Sequence, residues 1–315
     1  MQKVIFDTDP GVDDALALLY LARHPGIDLV GITTVFGNAP LEITTRNARF
    51  LAQSWGIGAP VHAGAARPLV PQPHDEIFPI HIHGTNGLGE YPVDAAPVPE
   101  PQSAAAFLID TIRAHPGEIR ILAVGRMTNL ALALALAPDI AELAKDVVIM
   151  GGAFDVNGNI SPAAEANIFG DAEAADAVFG ADWPVTAIPL DLTTRTLMTA
   201  ADLDRLAAPE DAAMQMVRAL SQDYIRFYRD AGAAGMMVHD CSAAVFLTDP
   251  ELFTLRTGPV RVIAGGLAHG QTIQAPDAQG FPPSAWDNRP SQAAATRGEA
   301  EAIVARIARI CAPGV

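Results

Sequence analysis

The chain is 315 residues long, 50% hydrophobic, and carries a formal net charge of −16, with 20 basic residues against 36 acidic ones. That length allows one large α/β domain or two small ones and is ample for a sizeable core. So acidic a chain is poorly suited to gripping phosphate backbones or anionic membranes, which sets aside nucleic-acid and membrane partners in favour of a neutral small molecule or one held through a metal. Only Cys241 and Cys311 are present, so there is no disulfide framework. The apolar run Leu130 to Ala137 is too short to span a membrane, and a strand beginning by residue 4 leaves no room for a signal peptide, so a cytoplasmic location is expected.

The first strand is carried by Val4-Ile5-Phe6 and runs into Asp7-Thr8-Asp9-Pro10-Gly11-Val12-Asp13-Asp14-Ala15. Asp13 is of a good N-cap type for the apolar helical pattern Ala15 to Leu21. Four carboxylates thus share one strand-to-helix loop, where a cap needs only one. Ligands of open α/β sheets bind at the carboxyl ends of strands, and hard oxygen donors in this number suit Ca²⁺ or Mg²⁺ better than zinc. Ile27 to Thr34 reads as a second strand ending in Gly37-Asn38, Thr44 to Trp55 as a helix, and Val61 to Gly64 as a short strand. Residues 67–102 are Pro-rich and without periodicity, and contain His81-Ile82-His83-Gly84; if extended, the two histidines would share a side, but no cysteine lies near them to favour zinc.

A helix over Ala104 to Ala114, a strand over Glu118 to Val124, a helix over Leu130 to Ala137 and a strand over Val147 to Met150 repeat one pattern, each strand delivering glycine or a polar residue at its end. The next loop holds Gly158-Asn159 and Glu165-Ala166-Asn167, which offer donors and acceptors without positive charge, the equipment for gripping hydroxyls. Then come a helix over Ala172 to Phe179, a strand over Val185 to Leu190 closing with Asp191-Leu192-Thr193, and a mostly helical stretch from Ala200 to Asp230 tipped by Tyr224, Phe227 and Tyr228. That aromatic tip is either a lid beside a Gly-rich loop or core packing at helical spacing. After His239-Asp240 an apolar helix restarts, residues 259–275 read as paired strands turning near His269-Gly270 at a sheet edge, and Arg297 to Cys311 reads as the last helix. The expected fold is a single α/β domain over residues 1–315, a mostly parallel open twisted sheet with a Rossmann-like core flanked by helices.

Asp7-Thr8-Asp9-Pro10-Gly11-Val12-Asp13-Asp14-Ala15 resembles the N-terminal signature of the inosine-uridine type nucleoside hydrolases. Gly37-Asn38, His83-Gly84, Gly151-Gly152, Gly158-Asn159, Glu165-Ala166-Asn167 and His239-Asp240 recur in that family's order across nearly the whole chain. The resemblance implies the nucleoside hydrolase fold and a Ca²⁺ site built from Asp9, Asp14, Asp240 and the Val124 carbonyl. It also implies Asp13, Asn159, Glu165 and Asn167 on the ribose hydroxyls, Asn38 also at the pocket, His83 on the base side, His239 protonating the departing base, and a homodimer or homotetramer. The expected activity is hydrolysis of the N-glycosidic bond of purine or pyrimidine ribonucleosides, giving free base and ribose. The chemistry is coherent with these residue types: positive charge built on the sugar favours an acidic, cation-anchored site, Asp9 can serve as base toward water, and His239 can give a proton near neutral pH.

Three features depart from the family pattern. Ala166 stands where an aromatic is common, Thr194-Arg195 replaces a frequent Thr-His, and the loop from Asp230 to Val238 is short and glycine-rich, leaving base preference open. Two other readings compete. An aspartate-nucleophile phosphohydrolase would use Asp7 with Mg²⁺ and a lysine, although Pro10-Gly11 is not that superfamily's turn; a non-catalytic nucleoside-binding protein would use the same groups without turnover.

Overall fold

The computed structural model describes residues 1–71, 78–94 and 102–314. Its strands, in chain order, are β1 (Gln2–Thr8), β2 (Ile27–Thr34), β3 (Val61–Ala63), β4 (Ile119–Ala123), β5 (Asp146–Met150), β6 (Val185–Ile188), β7 (Leu197–Met198), β8 (Met236–Met237), β9 (Phe253–Val262), β10 (Thr272–Gln274) and β11 (Ser291–Gly298). Nine of these form one sheet in the order β10-β9-β11-β6-β5-β4-β1-β2-β3, and β7 pairs with β8 apart from it. From β11 to β3 every pairing is parallel, while β9 runs antiparallel to both β11 and β10 at the edge.

Alternation along the central strands sends side chains into two cores, one on each face of the sheet. Val4, Phe6, Leu122 and Val148 enter the core shared with helices Val12–Arg23, Ala212–Asp230, His239–Phe246 and Ala300–Cys311. Ile5, Ile121, Val147 and Ile149 enter the other, with helices Ala104–Ala114, Thr128–Leu136 and Ala172–Gly180. Each fully buried large side chain contributes about 1.5–3 kcal/mol, so the middle strands are the most firmly held part of the fold. The chain builds outward from β1 through β2 and β3, then returns to start β4 on the other side of β1. The crevice beyond the ends of β1 and β4 is therefore the switch point where doubly wound sheets bind ligands.

Three expectations need correction. The first helix begins at Val12 rather than behind Asp13: Gly11 precedes it, and Asp14 reaches back to accept the Gly11 N–H at 2.9 Å. His81 and His83 lie in a short helix, Ile80–His83, so they do not share a side as an extended pair would; much of the surrounding 67–102 segment lies outside the described residues. The stretch from Ala200 to Asp230 is mostly helical as expected, in two helices, Ala200–Leu206 and Ala212–Asp230. Arg297 belongs to β11, and the last helix is Ala300–Cys311, opened by Glu299. Among the described residues no helix is long and apolar enough to cross a membrane.

Candidate active site

Asp9 lies just past the end of β1 and is buried. Its Oδ2 accepts the Asn38 backbone N–H at 2.7 Å, and the Asn38 amide in turn donates to the Asp9 carbonyl at 3.2 Å and to Asp14 Oδ2 at 3.0 Å. The loop after β2 can come this close because residue 37 is glycine: a Cβ there would stand 1.9 Å from Asp9 Oδ2. Asp14 is further held by the Thr8 hydroxyl at 2.5 Å. Asp9 Oδ1 is buried and has no hydrogen-bond partner among the described residues.

Asp240, in the first turn of the helix His239–Phe246, completes the cluster. One oxygen each from Asp13, Asp14 and Asp240 comes within 4.8 Å of the others. The tightest convergence thus includes Asp13, which was expected on the sugar, while Asp9 stands beside the three. Burial pushes all four carboxyls above their usual range, Asp13 up to about 7. Mutual repulsion adds to this: Asp14 raises Asp9 and Asp13, and Asp13 and Asp14 raise Asp240. An all-oxygen donor set under such repulsion, with one oxygen left unpaired, fits a hard divalent cation and gives a soft metal no ligand.

The other expected residues surround this cluster. Val124 follows β4, and its carbonyl accepts the Asn167 amide at 2.7 Å, which also reaches the Met150 carbonyl at 3.2 Å. Glu165 is buried and spends its carboxylate on the backbone, taking the Gly152 and Ile168 N–H groups on one oxygen and the Asn167 N–H on the other. Asn159 is the outlier, an exposed side chain that accepts the Ala166 N–H at 3.0 Å. His83 is buried with Nδ1 accepting the Val12 N–H at 3.3 Å, its ring 5.3 Å from that of Tyr224. Burial, then the neighbouring His239, lowers its pKa to about 3.

His239 is clamped between two hydroxyls, Thr193 at 2.7 Å from Nδ1 and Tyr228 at 3.0 Å from Nε2. Burial lowers its pKa to about 4. Burial thus works against a charged ring, and each ring nitrogen has one hydroxyl partner. Tyr224 and Tyr228 do face this pocket, so the aromatic tip of their helix belongs to the site as well as to the core.

Sequence reasoning had assigned no role to several groups. Asn47, fully buried, donates to the carbonyls of Pro10 and Asn86 and so ties the acidic loop to the turn after His83. Its signal was a polar residue on the apolar face shared with Ala48 and Leu51. Asn129 and Thr33 both bond Asp7 Oδ1, and no spacing announces them. Asp7 itself is fully buried, its pKa pushed to about 7 by burial; both partners sit on Oδ1, and Oδ2 is unpaired among the described residues.

Residues 4–305 match the family described as inosine-uridine preferring nucleoside hydrolase. The chain is 39% identical over 285 residues to uridine nucleosidase 1 of Arabidopsis thaliana, an alignment covering 86% of this chain and 81% of that one. Among solved structures, a plant nucleoside hydrolase superposes with a TM-score of 0.95 at 33% identity, covering 99% of each chain. A purine-preferring ribonucleoside hydrolase from Gardnerella vaginalis superposes with a TM-score of 0.90 at 30% identity, covering 98% of each.

Proposed function

The chain belongs to the inosine-uridine preferring nucleoside hydrolases and is an N-ribosyl hydrolase acting on ribonucleosides, and from that premise we propose that its reaction depends on Ca²⁺ and includes uridine among its substrates. The reading is carried by Asp9 Oδ1, a buried oxygen left unpaired beside the converging oxygens of Asp13, Asp14 and Asp240. Asp9, Asp14, Asp240 and the Val124 carbonyl would hold the ion, with Asp13 at the junction of ion and sugar. When bound, the ion supplies fixed positive charge that polarises water and anchors the ribose 2′ and 3′ hydroxyls.

The chain's own groups then divide the work. Asp9, its Oδ2 pinned by the Asn38 N–H, turns Oδ1 toward the ion site and is the group placed to take a proton from the attacking water. Asp13, Asn159, Glu165 and Asn167 hold the ribose hydroxyls, with Asn38 also at the pocket, and the surrounding negative charge favours the positively charged sugar of the transition state over the neutral ground state. His83 borders the base, and His239 turns a ring nitrogen toward it so that the base departs neutral. Uridine is expected as a substrate because of the 39% identical uridine nucleosidase.

The test is ribose release from inosine, adenosine, guanosine, uridine and cytidine, with and without a Ca²⁺ chelator. Uridine should be cleaved, chelation should abolish the activity, and Ca²⁺ should restore it. Ribose release indifferent to chelation would remove the metal from the reading, and cleavage confined to purine nucleosides would remove uridine.

A further inference from the structure

We propose that Thr193 is a positioning residue for His239, fixing the ring so that Nε2 bears the proton and faces the departing base. The proposal rests on the reading of His239 as proton donor to the base. Thr193 ends the short helix Leu190–Thr193 after β6, whereas His239 opens the helix His239–Phe246, so the pair joins two elements far apart in the chain. Both side chains are buried, and the hydroxyl lies 2.7 Å from Nδ1. On the opposite side of the ring Nε2 is 3.0 Å from the Tyr228 hydroxyl, which neighbours that of Tyr224 at 3.4 Å. The imidazole is thereby fixed along its Nδ1–Nε2 axis between the two hydroxyls.

The neighbouring threonines show what is unusual about Thr193. Thr194 and Thr196 turn their hydroxyls onto the carbonyls of Leu190 and Leu192, four residues earlier, in the ordinary helical manner. Among the described residues the Thr193 hydroxyl has one hydrogen-bond partner, His239 Nδ1. A buried O–H left unpaired costs about 1–3 kcal/mol, so this hydroxyl donates to Nδ1. With Nδ1 accepting, a neutral imidazole carries its hydrogen on Nε2. Without the hydroxyl the ring is free to swing or to hold the hydrogen on Nδ1, presenting a lone pair to a base nitrogen that itself needs a proton.

The experiment compares wild type, Thr193→Val, Thr193→Ser and His239→Ala on uridine and on p-nitrophenyl riboside, whose leaving group needs no proton, and reads the His239 tautomer by ¹⁵N NMR. Thr193→Val should lower kcat on uridine by about tenfold or more while leaving KM and the p-nitrophenyl riboside rate within about twofold; Thr193→Ser should restore kcat on uridine. The wild-type ring should show a protonated Nε2 and an unprotonated Nδ1, with the ratio disturbed in Thr193→Val. Equal loss on both substrates, no loss on either, or a wild-type ring protonated at Nδ1 would overturn the proposal. His239→Ala separates the two ideas. If it spares p-nitrophenyl riboside and Thr193→Val does not, the donor reading stands and the role of Thr193 falls. If His239→Ala slows both substrates alike, the donor reading falls, and the NMR tautomer alone decides whether Thr193 sets the ring.

Discussion

At the scale of single residues, the acidic pocket trades stability for chemistry. Asp9, Asp13, Asp14 and Asp240 are each at most 4% exposed, and each is pushed upward by burial. Such a cluster is tolerable only protonated or around a cation, and strained groups of this kind concentrate where function requires them. Asp9→Asn tests this directly, because the amide keeps the shape and can still accept the Asn38 N–H. Ribose release should fall by about 10²- to 10⁴-fold, while the melting temperature in chelator should stay level or rise, since a like charge has been removed. A variant that melts well below wild type in chelator would show Asp9 to be structural. The legibility of these residues depends on their spacing. Asp9, Asp13 and Asp14 share one loop and could be read as a cluster from the residues alone. Asp240 and His239 entered only through a family resemblance, because nothing in spacing ties residue 240 to residue 14. Thr193 was passed over as the tail of a strand, since a hydroxyl meeting a ring 46 residues later leaves no local pattern.

At the scale of elements, the parallel strands were readable because each is a short apolar run with a polar end, and β2 and the helix Ala104–Ala114 fall where the pattern places them. β11 escaped because Ser291–Gly298 is built on Ala293, Ala294 and Ala295, with a single β-branched residue, Thr296. It is a strand through tertiary pairing with β6 and β9, which overrides weak local preference. The short helix after β6 has a use that its sequence does not announce. There the Asp191 carboxylate is buried and accepts the Phe154 N–H at 2.9 Å and the Asp155 N–H at 2.7 Å. It therefore fixes the first part of the loop that carries Asn159 and Glu165. Asp191→Ala should loosen that loop and raise KM for uridine several-fold, with a smaller change in kcat, because it removes hold on the sugar without touching water or base. An unchanged KM with a fall in kcat would mean that the loop serves the chemical step instead.

At the scale of the whole molecule, β1 and β4 bring Asp9 and Val124 to the switch point of the sheet, and a formal charge of −16 surrounds them. A field of that sign draws a divalent cation inward and does nothing for an uncharged nucleoside. The two partners should therefore respond differently to salt. The Debye length shrinks from about 30 Å at 0.01 M to about 10 Å at 0.1 M, so screening over that range removes most of the long-range attraction for the ion while leaving hydrogen bonds to ribose intact. The Ca²⁺ concentration for half-maximal activity should rise severalfold across it, whereas kcat/KM for uridine at saturating Ca²⁺ should stay within about twofold. Titrating Ca²⁺ into chelator-stripped protein at each salt concentration, with ribose release as readout, measures both. A steep fall of kcat/KM under saturating Ca²⁺ would show that the acidic surface acts on the substrate as well, and would count against a neutral molecule as the ligand this charge distribution accommodates.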